Sequence, residues 1–256
     1  MFIDTHCHLD DPKLLESAEE FAKEYEKERV VKAITMGCNG ETSVLCRDLS
    51  EKIDSVYFGA GIHPIDAHKI SDKDFDIVYN LLDHPKCVAV GEIGLDYYWD
   101  KNYKDIQKEV LIRLLEMAEE KKLPVSIHMR DATLDTLTLL KEHKSNLKYG
   151  GVIHCYAGSK ETLKEVLDLG MYVGFGGTIT FKNARNLLEI ATLVPSDRIL
   201  TETDSPFLSP EPFRGKLNTP KNIPIILGKL ATLRGEDVED LARKVMNNAK
   251  TLFTKL

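Results

Sequence analysis

Short apolar blocks alternate with charged amphipathic stretches from one end of the chain to the other. The blocks predict β-strands near Phe2–His6, Val30–Gly37, Ser55–Gly61, Cys87–Ile93, Pro124–His128, Gly151–His154, Met171–Gly176 and Ile199–Asp204. The stretches between them, Pro12–Glu28, Glu41–Lys52, Asp72–Leu82, Asp105–Lys121, Ala132–His143, Lys160–Leu169 and Asn183–Leu193, predict helices. In the fourth, Ile106, Val110, Leu111, Leu114, Leu115 and Ala118 trace one apolar stripe with charges opposite it. Two further helices, Thr219–Thr232 and Val238–Leu252, close the chain, with Gly235-Glu236-Asp237 as the break between them. Strands alternating with helices in this number predict an α/β fold, a (β/α)8 TIM-type barrel forming one domain over residues 1–256. A doubly wound open sheet is the alternative. No GxGxxG and no GxxxxGKS/T follows any strand, so that reading lacks its phosphate cradle.

Composition narrows the class. A chain of 256 residues, 43% hydrophobic and 29% charged, has the make-up of a soluble globular protein. There is no basic-then-apolar leader and no run long enough to span a bilayer, so a cytoplasmic location and no membrane partner are expected. The five cysteines are scattered without paired spacing, which predicts reduced thiols. A formal net charge of −7 opposes strong non-specific binding to long duplex DNA, but not a small nucleic-acid substrate held locally by metal ions.

The chemistry gathers where strands end, which in a barrel is the catalytic face. The first strand carries Asp4, His6 and His8 at a spacing of two, hence on one face, with Thr5 and Cys7 on the other. The fourth ends on Glu92, the fifth on His128, the sixth on His154 and the eighth on Asp204. These side chains exceed what one ion needs. Glu92 can bridge two divalent ions, with His6, His8 and Asp204 on one side and His128 and His154 on the other. Nitrogen and carboxylate ligands suit zinc, manganese, magnesium or cobalt. Asp4 and Glu202, two positions before His6 and Asp204, are expected one layer deeper as carboxylates that orient imidazoles. Strand alternation turns Cys7 and Cys155 away, into the barrel–helix layer.

The runs Asp4-Thr5-His6-Cys7-His8, Gly61-Ile62-His63-Pro64, Gly91-Glu92-Ile93-Gly94-Leu95-Asp96-Tyr97, Ile127-His128-Met129-Arg130 and Thr203-Asp204-Ser205-Pro206-Phe207-Leu208 together resemble the TatD family of metal-dependent deoxyribonucleases. The resemblance runs in order to Asn247-Asn248-Ala249, essentially the whole chain. It implies an amidohydrolase-like barrel whose divalent metal centre hydrolyses phosphodiesters, as a 3′–5′ exonuclease on single-stranded DNA. It carries the family's metal positions onto His6, His8, Glu92, His128, His154 and Asp204. Two departures concern the substrate side. A second histidine commonly follows GxHP, where this chain has Ile65, and His-x-Phe-Ser-Gly after the sixth strand is here His154-Cys155-Tyr156-Ala157-Gly158.

On that side, Asp96-Tyr97-Tyr98-Trp99-Asp100-Lys101-Asn102-Tyr103-Lys104 interleaves aromatics with lysines and is suited to stacking unpaired bases. Tyr97 from this loop, His63 and Arg130 at strand ends, and Arg214 in the Pro-rich loop after the eighth strand are the expected substrate contacts. The mechanism expected is attack of a metal-bound hydroxide on phosphorus, with Asp204 as general base, Glu92 as bridge, and Arg214 with the ions neutralising developing charge. The partner is then DNA, single-stranded, acted on by a monomer or weak oligomer. The same ligand logic also serves an amidohydrolase-type carbonyl hydrolase acting on lactones, esters or aminoacyl-tRNA.

Overall fold

Residues 87–96 are buried at every position, as a strand must be when core lies on one face and helices on the other. The same sandwiching recurs around the molecule. In the computed structural model, which describes residues 1–99 and 101–256, eight strands form one parallel sheet in sequential order. They are β1 Phe2–Cys7, β2 Val30–Met36, β3 Val56–Ala60, β4 Cys87–Asp96, β5 Val125–Arg130, β6 Gly151–Ile153, β7 Tyr172–Phe175 and β8 Ile199–Thr201. Helices α1 Ala18–Lys27, α2 Gly40–Lys52, α3 Asp72–Leu81, α4 Lys104–Lys121, α5 Thr133–Glu142, α6 Lys160–Asp168 and α7 Arg185–Leu193 connect successive strands, and α8 Ile223–Arg234 and α9 Val238–Leu252 follow β8. This is the expected (β/α)8 barrel. Among the described residues no helix is long and apolar enough to cross a membrane.

The ring closes between β8 and β1. Thr5 Oγ1 donates to the Thr201 carbonyl and Thr201 Oγ1 donates to that of Ile3, each at 3.1 Å. Beyond the strands, the Asp204 N–H donates to the His6 carbonyl at 2.9 Å and the His8 N–H to that of Ser205 at 2.7 Å. Asp4 secures the seam from inside: its Oδ1 accepts the N–H groups of His6 at 3.2 Å and Thr203 at 3.0 Å. Burial holds the Asp4 carboxyl up at about 7 despite these bonds.

Element ends differ from the sequence expectation where the chain turns into the barrel mouth. Helix α1 begins at Ala18, not Pro12, because Asp11 Oδ1 accepts the Lys13 N–H and the Asp11 carbonyl takes those of Leu14 and Leu15, winding residues 11–15 into a turn. Strand β8 stops at Thr201, and Asp204 sits at φ 55 in left-handed backbone that no strand continues through. Helix α8 starts at Ile223, after a short 3-10 turn over Pro220–Asn222. The break after it forms as read, with Gly235 as left-handed C-cap and the Asp237 side chain accepting the N–H groups of Glu239 and Asp240.

While β5 continues to Arg130 and β1 to Cys7, strand β4 runs furthest beyond its predicted end, through to Asp96. Its register against β5 shifts between Val90 and Ile93, three steps on β4 facing two on β5, and this irregularity sets Glu92. Past it the strands approach closely at Gly94, where φ is 149 and a Cβ would stand 1.9 Å from the His128 carbonyl oxygen. Gly94→Ala should therefore cost at least ~3 kcal/mol of stability, read as a lowered urea midpoint.

Candidate metal centre

Each strand end delivers a side chain toward the barrel axis, and they converge on one carboxylate. Glu92, 3% exposed, lies at the floor of a cavity of about 590 Å³ at the carboxyl ends of the strands, a volume in the range of small-ligand sites. Nitrogens divide between its two oxygens. Oε2 faces His6 Nε2 and His8 Nε2, each at 3.3 Å. Oε1 faces His128 Nδ1 and His154 Nε2, each at 2.8 Å, and His63 Nε2 at 3.5 Å. Asp204 Oδ1 joins the first group, 3.5 Å from His8 Nε2 and 4.0 Å from His6 Nε2.

What stands behind each imidazole decides which nitrogen it offers. The His8 Nδ1–H donates to the Met36 carbonyl at 2.9 Å, which leaves the Nε2 lone pair aimed at Glu92 and Asp204. His6 Nδ1 pairs with Ser126 Oγ at 3.1 Å, and its Nε2 is buried without a hydrogen-bond partner. Burial, seconded by His154, pulls His6 down to about 4, so it is a neutral donor at neutral pH. Its ring stacks on that of His154 at 4.0 Å between centroids. His128 is held from its far side, with Nε2 2.9 Å from Asp96 Oδ2. Burial opposes charge on His128, but hydrogen bonds to Asp96 and Glu92 outweigh it and raise it to about 9. His63 differs. Its Nδ1 accepts the Ile65 N–H at 3.2 Å, so the neutral ring carries its proton on Nε2 and presents a donor, not a lone pair, to the centre.

The carboxylates follow the same physics. Burial pushes Glu92 toward its neutral form, yet His154, His63 and His6 overcome it and hold the group well below the usual carboxylate range. Asp204 is likewise held low, against its burial, by its hydrogen bond to His8 and the nearby charge of His154. For Glu202 burial wins: it lifts the group to about 8, although His154 and the Cys155 N–H that it accepts both pull it down.

This donor set fits divalent metal. His6 keeps a buried Nε2 with no hydrogen-bond partner, and the nitrogens of His128 and His154 face one another at 3.2 Å over a single carboxylate oxygen. One proton serves only one such nitrogen, whereas a cation serves all of them. His6, His8 and Glu92 form one compact donor group; His128 and Glu92 sit in a second cluster with His63, which turns its proton toward the carboxylate.

Not every residue singled out from the sequence reaches this place. Arg130 lines the cavity, as do His63 and Asp204. Tyr97 does not: it is buried, with its hydroxyl donating to Asp135 at 2.8 Å and the Lys104 ammonium over its ring. Arg214 stacks on Phe181 at 4.2 Å, away from the cavity wall. Cys7 is buried beside the Ile34 carbonyl, 3.4 Å from it. Cys155 lies past the end of β6 at φ 43, so pleat alternation does not govern it; Asp204, Glu202 and Glu92 add to burial in pushing its thiol far up. Asp100 of the aromatic loop lies outside the described residues. Sequence reasoning missed the role of Asp96. The available signal was that it too is an acid closing an apolar strand, four residues beyond Glu92 on the same side of the pleat.

A family model for TatD related DNases matches residues 3–254. The metal-dependent hydrolase YabD of Bacillus subtilis is 40% identical over 253 residues, covering 99% of both chains. YcfH of Escherichia coli K12, also a metal-dependent hydrolase by name, is 37% identical across 98% of this chain and 95% of its own. The crystal structure of YjjV, a TatD homologue from Escherichia coli K12, superposes with a TM-score of 0.94 at 32% identity, covering 99% of this chain and 98% of that one. An organophosphorus hydrolase variant from Deinococcus radiodurans, at 15% identity and a TM-score of 0.67 over 98% of this chain and 92% of its own, shares the barrel alone. The donor set and these likenesses converge: the chain belongs to the TatD-related DNase family of metal-dependent hydrolases.

Proposed function

We propose that this protein is a phosphodiesterase that removes nucleotides from the 3′ end of single-stranded DNA with two divalent ions, which Glu92 together with His6, His8, Asp204, His128 and His154 would hold. The observation that carries the reading is the division of donors, with His6, His8 and Asp204 toward Oε2 and His128 and His154 toward Oε1. Magnesium, manganese, zinc or cobalt bound there would polarise phosphoryl oxygens and acidify a water molecule.

The protein's own groups then have distinct tasks. Glu92 holds the two halves in register and stays ionised. Asp204, oriented by His8 and partly open to the cavity, takes the proton of the attacking water as general base. The His63 Nε2–H donates toward the phosphoryl group from the Oε1 side. Arg130 lines the cavity with no carboxylate partner among the described residues, so its guanidinium is available to a phosphate oxygen. A cup at the end of a barrel, rather than a groove across it, suits a strand terminus. Neither Tyr97 nor Arg214 has a part in this scheme, given where their side chains are engaged.

End-labelled single-stranded DNA incubated with metal-stripped protein, then with magnesium, manganese, zinc or cobalt restored, should ladder from the 3′ end only after metal addition. Protein that rebinds metal yet cleaves no phosphodiester while hydrolysing lactones or esters would replace this reading with a carbonyl hydrolase. Glu92→Ala should lose bound metal by elemental analysis and lower turnover by at least ~100-fold. Asp96→Ala leaves every proposed ligand in place but frees His128, and should weaken metal binding by about 10–100-fold in a competition titration with a chelating dye.

A further inference from the structure

The strands run in order around the barrel, so the loops after β4 and β8, four strands apart in a ring of eight, rise on opposite sides of its axis. Each presents a large aromatic side chain to solvent at the wall of the central cavity: Trp99, 64% exposed, after β4, and Phe207, 47% exposed, after β8. Exposed aromatics of this size forgo the burial that their area favours, and here they do so at the mouth of the site.

Each aromatic also comes with a cation. The Arg130 guanidinium lies 4.0 Å from the Tyr98 ring centroid and 5.5 Å from that of Trp99. Across the mouth, the Lys13 ammonium lies 5.6 Å from the Phe207 centroid. Neither cation has a carboxylate partner among the described residues. Each pair is tied to one half of the donor set. The Trp99 backbone N–H donates at 3.1 Å to Asp96 Oδ1, and Asp96 Oδ2 holds His128, on the Oε1 side of Glu92. The Phe207 ring meets the His8 ring edge-on at 6.4 Å, on the Oε2 side. The mouth thus repeats one arrangement, an aromatic face with a cation beside it, on both sides of the place where a phosphoryl group would sit.

We propose that Trp99 and Phe207 are two base-stacking shelves, one for the base on each side of the bond that is cut, and that Arg130 and Lys13 neutralise the phosphates beside those bases. The occupant is an unpaired strand, because only unpaired bases have free faces, and stacking on them needs no particular sequence. An apolar peptide would gain nothing from the cations. This inference rests on the phosphodiesterase reading and adds to it a requirement for a base on either side.

Trp99 is the only tryptophan in the chain, so its fluorescence reports on one shelf alone. The full-length metal-loaded protein would be titrated with a phosphorothioate-linked oligothymidylate, which resists cleavage, and with an abasic strand of the same length. The oligothymidylate should quench Trp99 and the abasic strand should not. Phe207→Ala should raise KM on single-stranded DNA by about 5–100-fold, the equivalent of one lost base stack, and Phe207→Trp should restore it. Equal quenching by both strands, or an unchanged KM in Phe207→Ala, would overturn the shelves. Cleavage of single-stranded DNA without any quenching would overturn them too, leaving the phosphodiesterase reading intact. Absence of both quenching and cleavage would remove that reading and the shelves together.

Discussion

Glu92 is almost wholly removed from water, and a carboxyl so placed would by itself hold its proton. It is ionised because imidazoles from β1, β3, β5 and β6 or the loops following them surround it. Neither side of that arrangement is stable without the other. The carboxylate needs partners to stay charged, and the crowded nitrogens need a centre of negative charge to face. The register shift in β4, the close approach at Gly94 and the closure of β8 on β1 are all conditions for bringing these groups to a common point. Each of those backbone features is costly or unusual alone, and each is adjacent to a residue that touches Glu92.

The groups behind the centre show how a barrel fixes imidazole orientation with little freedom left. Backbone carbonyls serve where the ring is close to a neighbouring strand, as Met36 does for His8. A hydroxyl from β5 serves His6, and a carboxylate from the end of β4 serves His128. His63 is instead fixed by an N–H two residues on, which reverses its polarity and turns it from a lone-pair donor into a proton donor. Five histidines near one carboxylate are therefore not equivalent, and the difference lies wholly in what their outer nitrogens meet.

Much of this was legible in the sequence, for a physical reason. A parallel barrel buries its strands on both faces and ends them on its functional surface, so a charged residue closing an apolar run stands out. His6, His8, Glu92, His128, His154 and Asp204 were all picked that way, and in the structure the four histidines face Glu92 while Asp204 meets His6 and His8. Loops obey no such periodicity. Tyr97 and Trp99 are two residues apart in one loop, yet Tyr97 turns to Asp135 and Trp99 to the cavity. Arg214 had the right chemistry for a phosphate and instead found the face of Phe181. Asp96 was overlooked because β4 was expected to stop at Ile93, and the extra turn of the pleat is what aims it at His128. Cys155 escaped because alternation was applied to a residue that lies past the end of β6 at Ile153.

The seam between β8 and β1 joins residues that stand 199 apart in the chain, as Asp4 and Thr203 do. His6 and His8 leave the ribosome well before Asp204, which follows them by almost the same stretch of chain. At about 5–20 residues per second, roughly ten to forty seconds of synthesis separate them. Through that interval the nascent polypeptide gains Glu92, His128 and His154 in turn, with no wall on its open side. The order of the chain thus works as a timer, withholding a complete centre until the ring that encloses it can shut.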